Sequence, residues 1–211
     1  MRSASIVRRL RYGKPVIVVS GLPRSGTSMA MRMLEAGGVP ILSDGVRAPD
    51  YHNPLGYFEF EQVKELDTTS DLSWLRAARG KAVKIISFLL PRLPQTHDYR
   101  VLFMRRNLEE VIASQNKMLV DRGGPVDTSR DEATRLMYVR HLDQVISMLT
   151  NRGCFRTLYL DYGRVIEQPV VEARRIREFL GCSLDPARAA HAVEHRLYRN
   201  RAGAFAAGVS P

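Results

Sequence analysis

The stretch from Pro15 to Gly38, PVIVVSGLPRSGTSMAMRMLEAGG, constrains the fold more than any other part of the chain. Val16, Ile17, Val18 and Val19 are consecutive β-branched residues, which reads as a strand buried on both faces of a parallel sheet. From Ser28 the period changes. Met29, Met33 and Leu34 fall on one helical face, and Gly37-Gly38 supply the stop. A strand, a glycine-bearing loop and a helix in that order make an anion cradle, because loop and first-turn N–H groups converge where the helix dipole is positive.

The loop itself narrows the anion. Gly21 and Gly26 carry the GxxxxG spacing of a Walker A loop, but Thr27-Ser28 follow where a nucleoside triphosphatase places Lys and then Ser or Thr. The lysine that would reach a γ-phosphate is missing. Arg24 sits inside the loop instead, a fork of donors suited to oxyanions.

Strands alternating with helices over the rest of the chain predict a parallel sheet with helices on both faces. The further strands are expected at Ala82 to Phe88, Tyr99 to Arg105-Arg106, and Phe155 to Leu160. Helices are expected from Val63 to Thr69, after an Asn107 cap, after a capping box at Ser129–Glu132, and from Val170 to Leu180. The helix after Asn107 has an apolar face of Leu108, Val111, Ile112, Met118 and Leu119. The long one after Glu132 has Leu136, Val139, Leu142, Val145 and Leu149. Trp74 is expected to anchor its segment in the core. Lys84, in the middle of an otherwise apolar strand, must reach solvent or meet an anion, since an unpaired buried charge is costly.

A chain of 211 residues suits one α/β domain, with residues 1–14 as a basic lead-in and 206–211 as a disordered tail. Thirty-two Lys+Arg against 22 Asp+Glu give a net charge of +10, and no carboxylate precedes Glu35. Such a field attracts an anionic cofactor, nucleic acid or an acidic membrane. The basic residues lack interleaved aromatics or a nucleic-acid motif, so no nucleic-acid partner is expected. The opening MRSASIVRRLRYG has the arginine-rich, acid-free composition of an organellar presequence, yet a basic surface segment is the plainer reading. Cys154 and Cys182 are too few for a disulfide framework, which points to the cytoplasm. No apolar run reaches the roughly 18 residues of a membrane span.

A second motif lies in VLFMRRNLEEVIAS. It ends a strand in Arg106 and sets Ser114 eight residues on, about 12 Å along the next helix at ~1.5 Å per residue, so both can grip one phosphate. The two motifs together resemble the PAPS-dependent sulfotransferases. That family's 5′-phosphosulfate loop is PxSGT[ST] with Lys or Arg at x, read here as Pro23-Arg24-Ser25-Gly26-Thr27-Ser28. Its 3′-phosphate motif is a strand ending in Arg-Asn with Ser eight positions after the Arg. The resemblance runs from about Val16 to Arg201 in motif order.

The resemblance implies a three-layer doubly wound α/β fold with a P-loop-like 5′-phosphosulfate loop. The donor it implies is 3′-phosphoadenosine 5′-phosphosulfate (PAPS), with PAP as product, no metal, and a hydroxyl or amine of a small-molecule, carbohydrate or lipid acceptor. It implies that Arg24, Ser25, Gly26, Thr27 and Ser28 hold the 5′-phosphosulfate, with Arg106 and Ser114 on the 3′-phosphate. Tyr162 falls where relatives have a tyrosine near the adenine, and Arg199 and Arg201 where a C-terminal basic segment closes over the 3′-phosphate.

Arg24 and Lys84 are the cations suited to the charge that develops on the leaving phosphate. The chain departs from the animal cytosolic members at Ile86, where they have the catalytic histidine, and at Met29, where many relatives have an adenine-stacking Trp. Glu59 is the first candidate base, followed by Glu61 and His52. The loop from Ile41 to Glu61 and the 121–128 segment, with Tyr51, Tyr57 and Phe58, are expected to shape the acceptor pocket. The rival readings are a P-loop kinase, which needs a phosphate-reaching Lys and a Mg²⁺-holding Asp, and a non-catalytic anion-binding module.

Overall fold

The computed structural model describes residues 2–46, 56–69, 71–121, 123–125 and 128–194, with side chains from residue 7 onward. Its sheet has four parallel strands, β1 (Val16–Gly21), β2 (Ala82–Lys84), β3 (Tyr99–Arg105) and β4 (Phe155–Asp161), in the order β2-β1-β3-β4. β1 is buried along its whole length because it has a neighbour on each side, Val18 lying opposite both Val83 and Val101. The helices are α1 (Arg2–Tyr12), α2 (Thr27–Ala36), α3 (Glu61–Lys64), α4 (Leu108–Asp121), α5 (Asp131–Asn151), α6 (Tyr162–Glu167), α7 (Pro169–Leu180) and α8 (Pro186–His191).

Strand alternation splits the core into two layers. Ile17, Val19, Leu102, Met104 and Leu160 face α2, α6, α7 and α8. Val16, Val18, Val83, Val101, Phe103 and Phe155 face α5 and the irregular segments that carry Trp74, Leu75, Leu90 and Leu93. The sheet is therefore covered on both faces, as expected of a doubly wound α/β chain. Consecutive connections leave β1 and β3 in opposite directions along the sheet, toward β2 and β4. The crevice beyond the carboxyl ends of β1 and β3 is the switch point where such sheets bind ligands.

Several local expectations change. β2 stops at Lys84, four residues short of Phe88, and Ser87–Arg92 form a 3-10 helix with Pro91 inside it. Pro91 has no N–H to give a sheet, and Ile86 and Ser87 turn away from the ladder. The helix expected from Val63 to Thr69 is a single α-turn at Glu61–Lys64 followed by a 3-10 turn at Glu65–Asp67. The capping box at Ser129–Glu132 gives way to a 3-10 turn, and α5 starts from Arg130, whose side chain makes no capping bond. Leu119, Leu136 and Val139, expected on buried faces, are exposed, because the apolar contact of α4 and α5 centres on Leu108, Val111, Ile112, Tyr138 and Leu142. The basic lead-in is helical through Tyr12. Asn107 does cap α4, its Oδ1 accepting from the Glu109 N–H at 2.8 Å, and Trp74 is buried as expected.

Candidate active site

The loop between β1 and α2 is shaped by residues that few alternatives could replace. Gly21 has φ 146°, and a Cβ there would stand 2.5 Å from Ser25 Oγ and 2.7 Å from the Met104 carbonyl. Gly26 has φ 101°, and its Cβ would meet the Tyr162 ring at 2.5 Å. Arg24 adopts φ 69°, a left-handed conformation that a non-glycine residue holds only when its surroundings impose it.

What imposes it is the end of β3. Arg106 donates from Nη1 to the Arg24 carbonyl at 3.2 Å and from Nε to Glu110 at 2.8 Å. Its guanidinium lies 4.2 Å from the centre of the Tyr162 ring. Tyr162 thus sits between Gly26 and Arg106 as a buried wedge beneath the loop, and burial raises the pKa of its hydroxyl. The Arg106 and Glu110 side chains are only 7% and 6% exposed, so each charge depends on the other. Arg24 in turn donates from Nε to the Ser114 hydroxyl at 3.0 Å. The side chains expected at the two ends of the donor, Arg24 and Ser114, are already in contact.

The cradle's own donors fit an anion. α2 has no acidic residue in its first turn, and Gly26 makes no side-chain capping bond, so the start of the helix favours an anion. Ser25 is 1% exposed, and its hydroxyl has no hydrogen-bond partner among the described residues. Thr27 is buried and Ser28 half-buried at the same turn.

Lys84 ends β2 opposite Val19 of β1, two residues short of Gly21. Its side chain is 9% exposed, and its ammonium donates to the Tyr57 carbonyl, lies 3.8 Å from Glu59 Oε1 and sits 5.7 Å from the Tyr57 ring centre. The strand lysine therefore meets an anion, one of the two possibilities the sequence leaves open. Glu59 also pairs with Lys64 at 3.1 Å. Glu61 pairs with Lys64 at 2.6 Å on a more exposed surface. Phe58, between Tyr57 and Glu59, has φ 52°, so the loop is bent sharply to bring both residues to Lys84.

The sequence reading missed three participants. Glu110 is recognisable only as a dipole-favourable acid, although its position four residues after Arg106 is the spacing of a helical ion pair. The Tyr57 carbonyl and Lys64 reach the site through loop geometry that carries no sequence signal. His52, Tyr51, Arg199 and Arg201 lie outside the described residues, as does the 206–211 tail. Among the described residues, no group of three or more His, Cys, Asp or Glu is arranged to hold a metal ion, and no helix is long and apolar enough to cross a membrane.

No curated protein matches this sequence. Solved structures do match it in fold. The sulfotransferase domain from the curacin biosynthetic pathway is 16% identical at a TM-score of 0.52, covering 86% of this chain and 78% of that one. Sulfotransferase STF9 from Mycobacterium avium is 14% identical at 0.53, over 85% and 66%. A sulfotransferase from Alicyclobacillus acidocaldarius is 17% identical at 0.50, over 87% and 88%. The family model described as a sulfotransferase domain matches residues 14–203, nearly the whole chain and both motifs, and the protein therefore belongs to the sulfotransferase domain family.

Proposed function

We propose that the protein transfers a sulfuryl group from PAPS to a hydroxyl or amine of a small-molecule, carbohydrate or lipid acceptor in the cytoplasm. The observation that carries this reading is the loop from Gly21 to Ser28. It has Thr27 where a triphosphatase has its lysine and carries a guanidinium, Arg24, within the loop. It also holds a buried hydroxyl, Ser25, with no hydrogen-bond partner among the described residues, just before an acid-free first helix turn. When bound, PAPS supplies the activated sulfuryl group and the leaving phosphate.

In this reading Arg24, Ser25, Gly26, Thr27 and Ser28 hold the 5′-phosphosulfate. Arg106 and Ser114 hold the 3′-phosphate, with Arg199 and Arg201 as further donors and Tyr162 close to the nucleoside. Lys84 is a fixed cation, and its placement at the rim beside β1 lets it offset negative charge developing on the leaving oxygen. Glu59 is the base that takes the proton from the acceptor, and its proximity to Lys84 supports that role over Glu61.

The test is thermal protection of the purified protein by PAP and by ATP with Mg²⁺. PAP should raise the melting temperature and ATP–Mg²⁺ should do little. Equal or greater protection by ATP–Mg²⁺ transfers the reading to a P-loop kinase, and protection by PAP without turnover on any acceptor transfers it to a binding module.

A further inference from the structure

The pole of the molecule opposite the donor loop carries a surface that sulfuryl transfer does not use. α1 is fastened across the starting ends of β3 and β4. Arg8 donates from Nε to Asp98 at 2.5 Å and from Nη2 to the Gly153 carbonyl at 2.8 Å, and the Tyr12 ring lies 4.7 Å from His97. With Arg8 and Tyr12 engaged by the body, the helix turns Val7 and Leu10 outward, 61% and 83% exposed. Arg9 and Arg11 are exposed beside them, and the helix contains no acidic residue.

The same edge gathers more positive charge. Arg100 and Arg156 face each other in the β3–β4 register, and Arg156 is exposed. Burial, together with the like charges of Arg156 and Arg9, holds the Arg100 pKa below its usual value. Asp98 is the acid that opposes this, and Arg8 already binds it. Like charges crowded beside exposed aliphatic side chains raise the free energy of the isolated protein, and a negatively charged amphiphilic partner relieves both costs at once.

We propose that this pole docks onto an anionic lipid surface, with Val7 and Leu10 entering the headgroup boundary and Arg9, Arg11 and Arg156 facing the lipid head groups. The exposed aliphatic pair favours lipid over nucleic acid, because a phosphodiester backbone offers nothing for Leu10 to enter. β1 runs from this pole to the donor loop over six residues, about 20 Å at ~3.3 Å per residue. A docked molecule therefore turns its donor loop away from the bilayer, and its acceptor arrives from the aqueous side.

The test is co-sedimentation of the full chain with phosphatidylcholine vesicles, with and without phosphatidylserine. Phosphatidylserine should strengthen binding at least tenfold, and added salt should weaken it. The double variants V7S/L10S and R9Q/R11Q should each lose about tenfold with an unchanged melting temperature, since all four side chains are solvent-facing. The variant K117Q/R140Q removes the same charge from exposed positions of α4 and α5 and should bind as the parent does. Four outcomes overturn the proposal: equal binding to both vesicle types, equal weakening by K117Q/R140Q, unweakened binding by V7S/L10S, or release of the protein from vesicles by duplex DNA or RNA. None of them bears on donor binding, so PAP protection tests the proposed function separately.

Discussion

Arg24 Nε donates to the Ser114 hydroxyl at 3.0 Å across a separation of 90 positions in sequence. Arg24 belongs to the loop after β1 and Ser114 to the second turn of α4, so the contact joins the two motifs. The contact makes Ser114 a rest position for the guanidinium that the proposed reaction needs at the phosphosulfate. Ser114→Ala should lower PAP affinity roughly five- to tenfold, the loss of about one hydrogen bond, measured by calorimetric titration. An affinity equal to the parent's would remove Ser114 from the donor site.

Glu110 holds Arg106 in a buried pair, so Glu110→Gln leaves a guanidinium without its counter-charge. We expect destabilisation of about 3 kcal/mol by urea unfolding, together with weaker PAP binding, because Arg106 also supports the Arg24 carbonyl. Arg106→Ala should weaken PAP binding more than Glu110→Gln does. A Glu110→Gln protein with parental stability would show that the pair contributes nothing to the loop.

Lys84→Ala and Arg24→Ala should each reduce turnover at least ~100-fold while leaving the far-ultraviolet circular dichroism unchanged, since in the proposed reaction each offsets charge on the leaving phosphate. Turnover is followed with labelled donor and an acceptor found by screening carbohydrate, lipid and phenolic extracts. Glu59→Gln should lower kcat with little change in donor affinity. Full activity in that variant would place the base elsewhere.

Gly26→Ala should disable the cradle without any change of charge. Its φ of 101° is strained for alanine, and the added methyl would overlap the Tyr162 ring. The strain costs on the order of 1–3 kcal/mol, and PAP protection should be lost. Tyr162→Leu in the same background, which removes the ring, should recover part of the stability measured by melting.

His141 makes stability depend on pH. Its Nε2 is 2.9 Å from Ser87 Oγ, its ring stacks on Phe88 at 3.8 Å, and burial lowers its pKa below the ordinary 6.5. Burial and Arg79 lower that of His97 as well. The unfolded chain therefore takes up protons first as pH falls through 6.5, and the fold loses stability from there downward. His141→Gln should make the melting temperature less sensitive to acid below that value; an unchanged slope would exclude His141 as its source.

What the chain's own order of residues determined is the sheet and the cradle. β1 is a run of β-branched residues long enough to be buried on both faces, and Gly21, Gly26 and the hydroxyls between β1 and α2 have local spacing that carries its own meaning. The eight-residue spacing of Arg106 and Ser114 is likewise local, but the partners each one takes, Glu110 and the Arg24 carbonyl for Arg106 and Arg24 Nε for Ser114, are not. Tertiary structure alone decided that Arg24 turns to Ser114, that Tyr162 wedges under Gly26, that Lys84 meets Tyr57 and Glu59, and that β2 ends at Lys84. These are contacts between segments tens of residues apart. Local propensity carries no information about which distant side chain or carbonyl will satisfy a buried charge, and only the packing of the strand ends against one another selects it.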